Sequence, residues 1–499
     1  MVSWMPPRNL SLSDDAAQYG AAVALLAMLS LQACTNQCRG PQCVDEWPRT
    51  RVLSFALGDL GKVNPVRDNQ TAFVEGNDDE GARWAVHSRD SVLWFGQPDA
   101  GRVTAWTSSD RVADSQVWTG PDSFGEDLGH ISHEGGATDL WVSAPRADRE
   151  TGALYRFPVA AGGAEAANAE LKIEGDHTAD RFGTQWRTCP DLTGDGVPDL
   201  LVSAPWYNPT EWSDTGDDTG VLVGPAPLAG AVYLVRSEAL AKQSGGDITA
   251  RSVSTMWWGE QRGEQAGSSL LCDADHDGDG VADIVIGAPL FDSPNNLTDA
   301  GRVYILSGAA LPDSGPLSQV SSVRIDGDRY EGWLGSSSAA LDVDPADGEA
   351  AYDLAVGAAG DNEGSGRVYL YQGQELTRGG TPKPANVFSY RSSNAGHFGS
   401  WLTVGDMDGD GRSDLVIGGP DVLAGTDGYD AGGAWIFLGA SQASWGLTNA
   451  SNTADHRIIG TRAFQQVGRS PHCADLDGDG VDELLLTTRA AETEGATAL

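Results

Sequence analysis

One loop pattern, D-x-D-x-D-G-x-x-D between two short apolar runs, recurs along this chain and restricts what it can fold into. Its clearest copy runs Asp406-Met407-Asp408-Gly409-Asp410-Gly411-Arg412-Ser413-Asp414 and leads into Leu415-Val416-Ile417-Gly418-Gly419-Pro420. In a tight turn alternate residues aim their side chains at one point, and the glycine after the third acid permits the bend. Asp406, Asp408, Asp410 and Asp414 are therefore expected to converge. Carboxylates so close repel one another by several kcal/mol in partly buried surroundings unless a cation sits among them. Ligation by oxygen alone selects a hard ion, and a flexible loop suits Ca²⁺ better than Mg²⁺.

The pattern appears three more times. Asp191, Thr193, Asp195 and Asp199 precede Leu200-Leu201-Val202-Ser203-Ala204-Pro205, and Asp275, Asp277, Asp279 and Asp283 precede Ile284-Val285-Ile286-Gly287-Ala288-Pro289. Asp475, Asp477, Asp479 and Glu483 precede Leu484-Leu485-Leu486. Some eight or nine positions ahead of each loop stands Phe-Gly or a degenerate form of it: Phe182-Gly183, Ala266-Gly267, Phe398-Gly399 and Val467-Gly468. Self-similarity at such a period marks a repeat architecture.

These residues resemble the FG-GAP repeats that build the β-propeller of integrin α chains, over roughly residue 53 to the C-terminus. The resemblance implies that the four acid sets are structural calcium sites on one face, and that partners bind the opposite face. It leads us to expect an all-β fold, a seven-bladed β-propeller of four-stranded antiparallel blades, over residues 52–499. Seven second strands can be counted, centred on Leu93-Trp94-Phe95, Leu140-Trp141-Val142, Leu200-Leu201-Val202, Ile284-Val285-Ile286, Leu354-Ala355-Val356, Leu415-Val416-Ile417 and Leu484-Leu485-Leu486. A third strand follows each, from Gly101-Arg102-Val103 to Gly433-Ala434-Trp435, the seventh being only residues 495–499. The chain thus lacks one strand, and a ring of sheets must close to avoid an open edge. Residues 52–57 are expected to supply that outer strand of blade seven. Three repeats depart from the pattern. Residues 79–92 contain no acidic loop, Ile131, His133 and Gly135 stand where ligands belong ahead of Asp139, and the stretch from Asp342 to Asp353 has extra residues. Four ions are expected, with a weaker fifth at that stretch.

The chain has 499 residues, 64 of them glycine, and a formal charge of −39, which excludes the basic footprint that nucleic acid requires. Four divalent ions would offset eight of those charges, so the acidity belongs mostly to the general surface. Residues 1–33 resemble an export signal, with an apolar run over residues 21–31 that is short for a membrane span. Leu31-Gln32-Ala33-Cys34 is similar to the bacterial lipobox. Cys34 is then either the lipidated first residue of an outer-membrane or cell-surface lipoprotein, or a structural cysteine behind a plain secretory signal. Residues 34–51 read as a flexible tether in which Cys38 and Cys43 can close a small loop. Cys189, Cys272 and Cys473 each lie just before an acidic loop. Equivalent positions in neighbouring repeats bring Cys189 and Cys272 near each other, as a pair or as free thiols.

On the face opposite the hairpins the longest loop is residues 206–228, carrying Trp206, Tyr207 and Trp212. Aromatic side chains among acids can stack on sugars or anchor a protein contact. Residues 291–300, and 421–432 with Tyr429, form shorter loops there. No catalytic constellation is present: His130 and His133 lack a zinc-site context, and His276 sits at a non-ligand position. The expected function is a surface-anchored, calcium-stabilised module that binds an unidentified protein or glycan, held at the membrane by a lipid anchor alone. The alternative is a calcium-dependent polysaccharide lyase or lectin on the same propeller.

Overall fold

In the computed structural model the described residues are 49–489 without 56–63, 66–71, 78–85, 90–91, 108–115, 133–137, 160–162, 209–226, 242–245, 343–350, 378–380, 391–395, 424–429, 440–444, 446–447, 450–452, 462 and 476–478. The expected export signal, Cys34 and the tether up to residue 48 lie outside them. So do Trp212, Tyr429, Asp477 and the C-terminal stretch 495–499. Among the described residues no helix is long and apolar enough to cross a membrane.

Among the described residues the fold is all-β, with its strands in seven sheets. Sheet four shows the plan: Ser269–Ala274, Asp283–Ala288, Arg302–Leu306 and Val323–Asp326 pair antiparallel in chain order. The first strands of successive sheets are Val86–Arg89, Leu128–Ser132, Trp186–Cys189, Ser269–Ala274, Leu334–Leu341, Trp401–Gly405 and Arg469–Ala474. Each of these packs beside the next, and the seventh packs back against the first.

Burial follows from this stacking. The second strands Asp199–Ala204, Asp283–Ala288, Asp353–Ala358 and Asp414–Gly419 are buried at every residue. A strand covered on both faces has no solvent side, so its sequence is a continuous apolar run and not an alternation. The core lies between sheets: Cys189, Leu201, Leu234 and Trp257 of sheet three pack with Leu270, Ile284, Ile286 and Leu306 of sheet four. The two halves of the repeat motif also meet across sheets. A Cβ on Gly357 would lie 2.1 Å from the Gly399 carbonyl oxygen of the following sheet, and one on Gly287 would lie 2.1 Å from that of Gly335. Only glycine permits that approach.

Two expectations need correction. The N-terminal strand Arg49–Phe55 pairs with Glu483–Arg489, and Ala72–Asn77 pairs outside it. The N-terminal segment therefore provides the third and the fourth strands of the last sheet, not the outer strand alone. The sheets are also not uniformly four-stranded. Sheets two, three, five and six each gain a short fifth strand, Gly246–Thr249, Gly315–Pro316, Thr448–Asn449 and Asn64–Pro65, paired parallel to the outer strand. Each comes from the repeat that follows, so the connection between its third and fourth strands covers an edge that would otherwise template association. The sulfurs of Cys189 and Cys272 are bonded, joining the first strands of sheets three and four.

Candidate metal centres

Each acidic hairpin joins the first and second strands of a sheet, and its acids divide the work. The last acid opens the second strand and is sealed there: Asp199, Asp283 and Asp414 are each 0% exposed. Asp414 accepts the Met407 N–H at 2.8 Å and the Gly439 N–H at 2.8 Å. Asp283 accepts His276 at 2.8 Å and Gly308 at 3.0 Å, and Asp199 accepts Leu192 at 3.0 Å and Ser237 at 3.2 Å. Gly439, Gly308 and Ser237 lie just past the third strands, so one carboxylate ties turn, second strand and third strand together.

The first acid closes the turn. Asp275 accepts Gly278 and Gly280, both at 2.6 Å, and Asp191 accepts Gly194 at 2.7 Å and Gly196 at 2.6 Å. Asp406 accepts Gly411 at 2.9 Å, and Asp475 accepts Gly480 at 2.9 Å. The third acid is spent on its own backbone: Asp195, Asp279, Asp410 and Asp479 accept Val197, Val281, Arg412 and Val481, each at 2.9 Å.

Two loops gather a ligand set. Carboxylate oxygens of Asp275, Asp277 and Asp283 lie within 4.8 Å of one another, and so do those of Asp406, Asp408 and Asp414. Asp279 and Asp410 stand outside these trios. In the hairpin at 191–199 Thr193 takes the second place, and its hydroxyl donates to Asp199 at 3.2 Å. In the last hairpin Asp475, Asp479 and the buried Glu483 are described while Asp477 is not.

Electrostatics mark the same groups. Burial, with the nearby Asp408 and Asp406 charges adding to it, pushes the Asp414 carboxyl up to about 7. Burial pushes Asp283 up to about 6, with Asp277 and Asp275 adding. Asp199, Asp277 and Asp408 are raised as well, each chiefly by desolvation. Among the described residues no lysine or arginine pairs with Asp199, Asp283 or Asp414. Oxygen donors that are buried, mutually repelling and uncompensated by a basic side chain fit a hard divalent cation.

Neighbouring hairpins interlock. Asp482 accepts the Asp406 N–H at 2.9 Å, and its own N–H donates to the Asp406 carbonyl at 2.9 Å. Ser413 and Asp342 join sheets five and six in the same way. His276 is 1% exposed, and its Nδ1 lies 3.0 Å from the Tyr352 carbonyl. A buried imidazole facing a carbonyl is a clamp between sheets four and five, a role the sequence did not announce.

The opposite face differs from its sequence reading. Tyr207 is only 1% exposed, and its hydroxyl accepts from Arg251 at 2.9 Å, so it packs the core and does not face a partner. Phe291 is buried under the Arg302 guanidinium, 3.6 Å above its ring. Trp206 is half-buried with the Arg181 guanidinium 4.5 Å from its ring centre. A feature missed from sequence lies at the residue before each Phe-Gly or equivalent. Ser123, Arg181, Gln265, Trp333, His397 and Gln466 all have positive φ, between 45° and 60°. Their types share nothing, so the signal is position alone.

Comparison with known proteins points the same way. Residues 267–306 and 398–437 match the FG-GAP repeat model, and each segment contains one of the two carboxylate trios. The chain is 33% identical over 237 residues to Integrin alpha-PS2 of Drosophila melanogaster, covering 42% of this chain and 16% of that protein. It is 30% identical over 210 residues to the Phosphatidylinositol-glycan-specific phospholipase D of Rattus norvegicus, covering 41% and 24%. Against Integrin alpha-4 of Xenopus laevis it is 32% identical over 170 residues, covering 32% and 15%. The matches thus span less than a quarter of these relatives' lengths. Among solved structures, the WD40 domain of Toxoplasma gondii coronin aligns with a TM-score of 0.46 and 9% identity, over 89% of this chain and 87% of that one. The Dos1 propeller aligns at 0.41 and 9%, over 86% and 81%. The chain is an all-β protein with FG-GAP repeats. Its sequence is integrin α-like.

Proposed function

We propose that this chain is a calcium-stabilised, seven-bladed propeller that acts as a binding or adhesion module for a protein or glycan. The observation that carries the reading is the carboxylate trio, present in both segments that match the FG-GAP model. Calcium occupies the four acidic hairpins and is structural there: it neutralises buried charge at the turn between first and second strands. The partner meets the opposite face, with the half-buried Trp206 as a candidate contact. No catalytic residue is assigned. The protein is exported and held at a bacterial outer membrane or cell surface through lipid on Cys34, or else secreted. Equilibrium dialysis with calcium tests the reading, with about four ions per chain expected in the full-length protein and about two in a variant carrying Asp283→Asn and Asp414→Asn. No retained calcium would sink it.

The similarity to a phospholipase D keeps an enzymatic or lectin reading in view. A polysaccharide lyase on this fold needs a basic or tyrosyl proton acceptor beside a bridging ion. Incubation with acidic polysaccharides separates the two readings, since only a lyase releases unsaturated products.

A further inference from the structure

The outer edge of sheet four is handled differently from its neighbours. Sheets two, three, five and six each take a parallel fifth strand from the following repeat. At sheet four the corresponding connection carries Thr381-Pro382-Lys383-Pro384, and the sheet stays four-stranded. Prolines at both 382 and 384 remove two N–H donors within three residues, whereas the paired segments Gly315–Pro316 and Asn64–Pro65 each lose only one. The double-proline segment stands off instead and walls a cavity of about 180 Å³ between sheets four and five.

The cavity is amphiphilic. Ile325, Leu334, Ala358 and the two prolines give it apolar walls, and Asp328, Tyr369 and Tyr371 bring polar atoms. Tyr371 is 4% exposed, and its hydroxyl makes no hydrogen bond among the described residues. A buried phenol normally finds a partner. The tyrosine is also peculiar to this repeat. The same place, five residues after the glycine that starts the third strand, holds Trp106, Phe157, Val235, Leu306 and Phe437 in the others. None of those residue types carries a hydroxyl.

Charge decides what the cavity takes. Asp326 pairs with Arg302, Asp361 with Arg367 at 3.2 Å, and Asp328 with Arg329 at 3.4 Å. Each carboxylate already has a guanidinium, so no cation is called for, and three acids repel an anion. Spare hydrogen-bonding capacity remains at the Tyr371 hydroxyl and at Asp328, whose side chain is 74% exposed. The volume lies below the ~300–1,000 Å³ of pockets for drug-sized molecules. We infer that this cavity binds one neutral sugar unit of a glycan, its hydroxyls meeting Tyr371 and Asp328 and its C–H face lying against the tyrosines and prolines. This rests on reading the chain as a binding module and supplies the ligand class.

Saturation-transfer NMR and titration calorimetry on the full-length, calcium-loaded protein would test it. The probes are the methyl glycosides of glucose, galactose, mannose, fucose and N-acetylglucosamine, with Nα-acetyl-lysine amide as the competing class. At least one glycoside should bind. Tyr371→Phe, which removes one oxygen and keeps the packing, should weaken it about tenfold with unchanged melting. Asp328→Asn, at an exposed position, should weaken it as well. Absence of glycoside binding, preference for the lysine amide, or undiminished affinity in Tyr371→Phe would each overturn the assignment. Failure here leaves calcium retention intact, whereas loss of calcium retention with glycoside binding preserved would remove the calcium reading alone.

Discussion

The hairpins that open sheets two and six both place an acid at the start of the second strand and surround it with opposite chemistry. In sheet six Asp414 is fully buried, faces two further carboxylates and has no basic partner among the described residues. In sheet two Ile131, His133 and Gly135 stand at the ligand positions ahead of the equivalent Asp139, and Asp139 pairs with Arg156 at 3.7 Å. Arg156 stands four residues after the glycine that starts its strand. The same place in sheets three to six holds Leu234, Ile305, Leu370 and Ile436. Where the other acids have gone, an arginine has replaced an apolar residue to face the one that remains. A buried carboxylate calls for a cation: the chain supplies one covalently in sheet two, and among the described residues no basic side chain supplies one to Asp414 in sheet six.

The largest test of that contrast is removal of the ion. With each site adding about 1 kcal/mol at an extracellular-type affinity, four sites contribute about 4 kcal/mol. Excess chelator should lower the denaturant midpoint accordingly, and calcium should restore it. An unchanged midpoint would mean that the acid-rich hairpins are as self-sufficient as sheet two.

A smaller effect, of opposite sign in the two states, follows from the buried acids. In ion-free protein Asp414 is pushed up to about 7 and Asp283 up to about 6, both above an unfolded carboxylate near 4. The folded state then holds protons that the unfolded state has released. Stability from these two groups is full below about pH 4 and falls as pH rises through 6 and 7. Calcium favours the ionised form and should flatten this slope. Asp414→Asn should accordingly destabilise the calcium-loaded protein by about 1 kcal/mol and stabilise the chelated protein at pH 8. Urea titrations of both forms at pH 5 and pH 8 read both signs. A variant that destabilises in both states would show that Asp414 acts through its hydrogen bonds to Met407 and Gly439 alone.

How far the sequence carried this follows from the same physics. Loop, second strand and Gly-Ala-Pro stop were legible because cation ligation and two-sided burial impose residue types that recur. The third acid has a local use that alternation alone did not reveal. Asp279 and Asp410 alternate correctly with the others, yet a carboxylate two residues ahead of a free N–H bonds it locally, as an Asx turn does. The fifth strands were illegible because two to four residues of parallel pairing carry no pattern, and their partner belongs to another repeat. Strand Arg49–Phe55 was placed one position too far out, since residues 495–499 were counted as the third strand. Tyr207 and Phe291 illustrate a general limit: an aromatic in an acidic loop reads as exposed until the guanidinium that covers or holds it, from Arg251 or Arg302, is located.

The smallest effect sharpens the comparison from the other side. Arg156 is partly exposed, with 22% of its side chain accessible, and also pairs with Glu170 at 3.8 Å. Solvent screening at that exposure limits the pair to about 1 kcal/mol. Arg156→Met restores the apolar character of the place in sheets three to six and removes the guanidinium from Asp139, whose side chain is 11% exposed. The expected loss is about 1 kcal/mol, equal in calcium and in chelator, because no acidic trio surrounds Asp139 to recruit an ion. Adding Asp139→Asn should recover most of it, since the double change removes the uncompensated charge along with its partner. If instead the loss in Arg156→Met were reversed by calcium, sheet two would retain a cation site, and arginine and ion would be alternatives at one hairpin, not the property of separate ones.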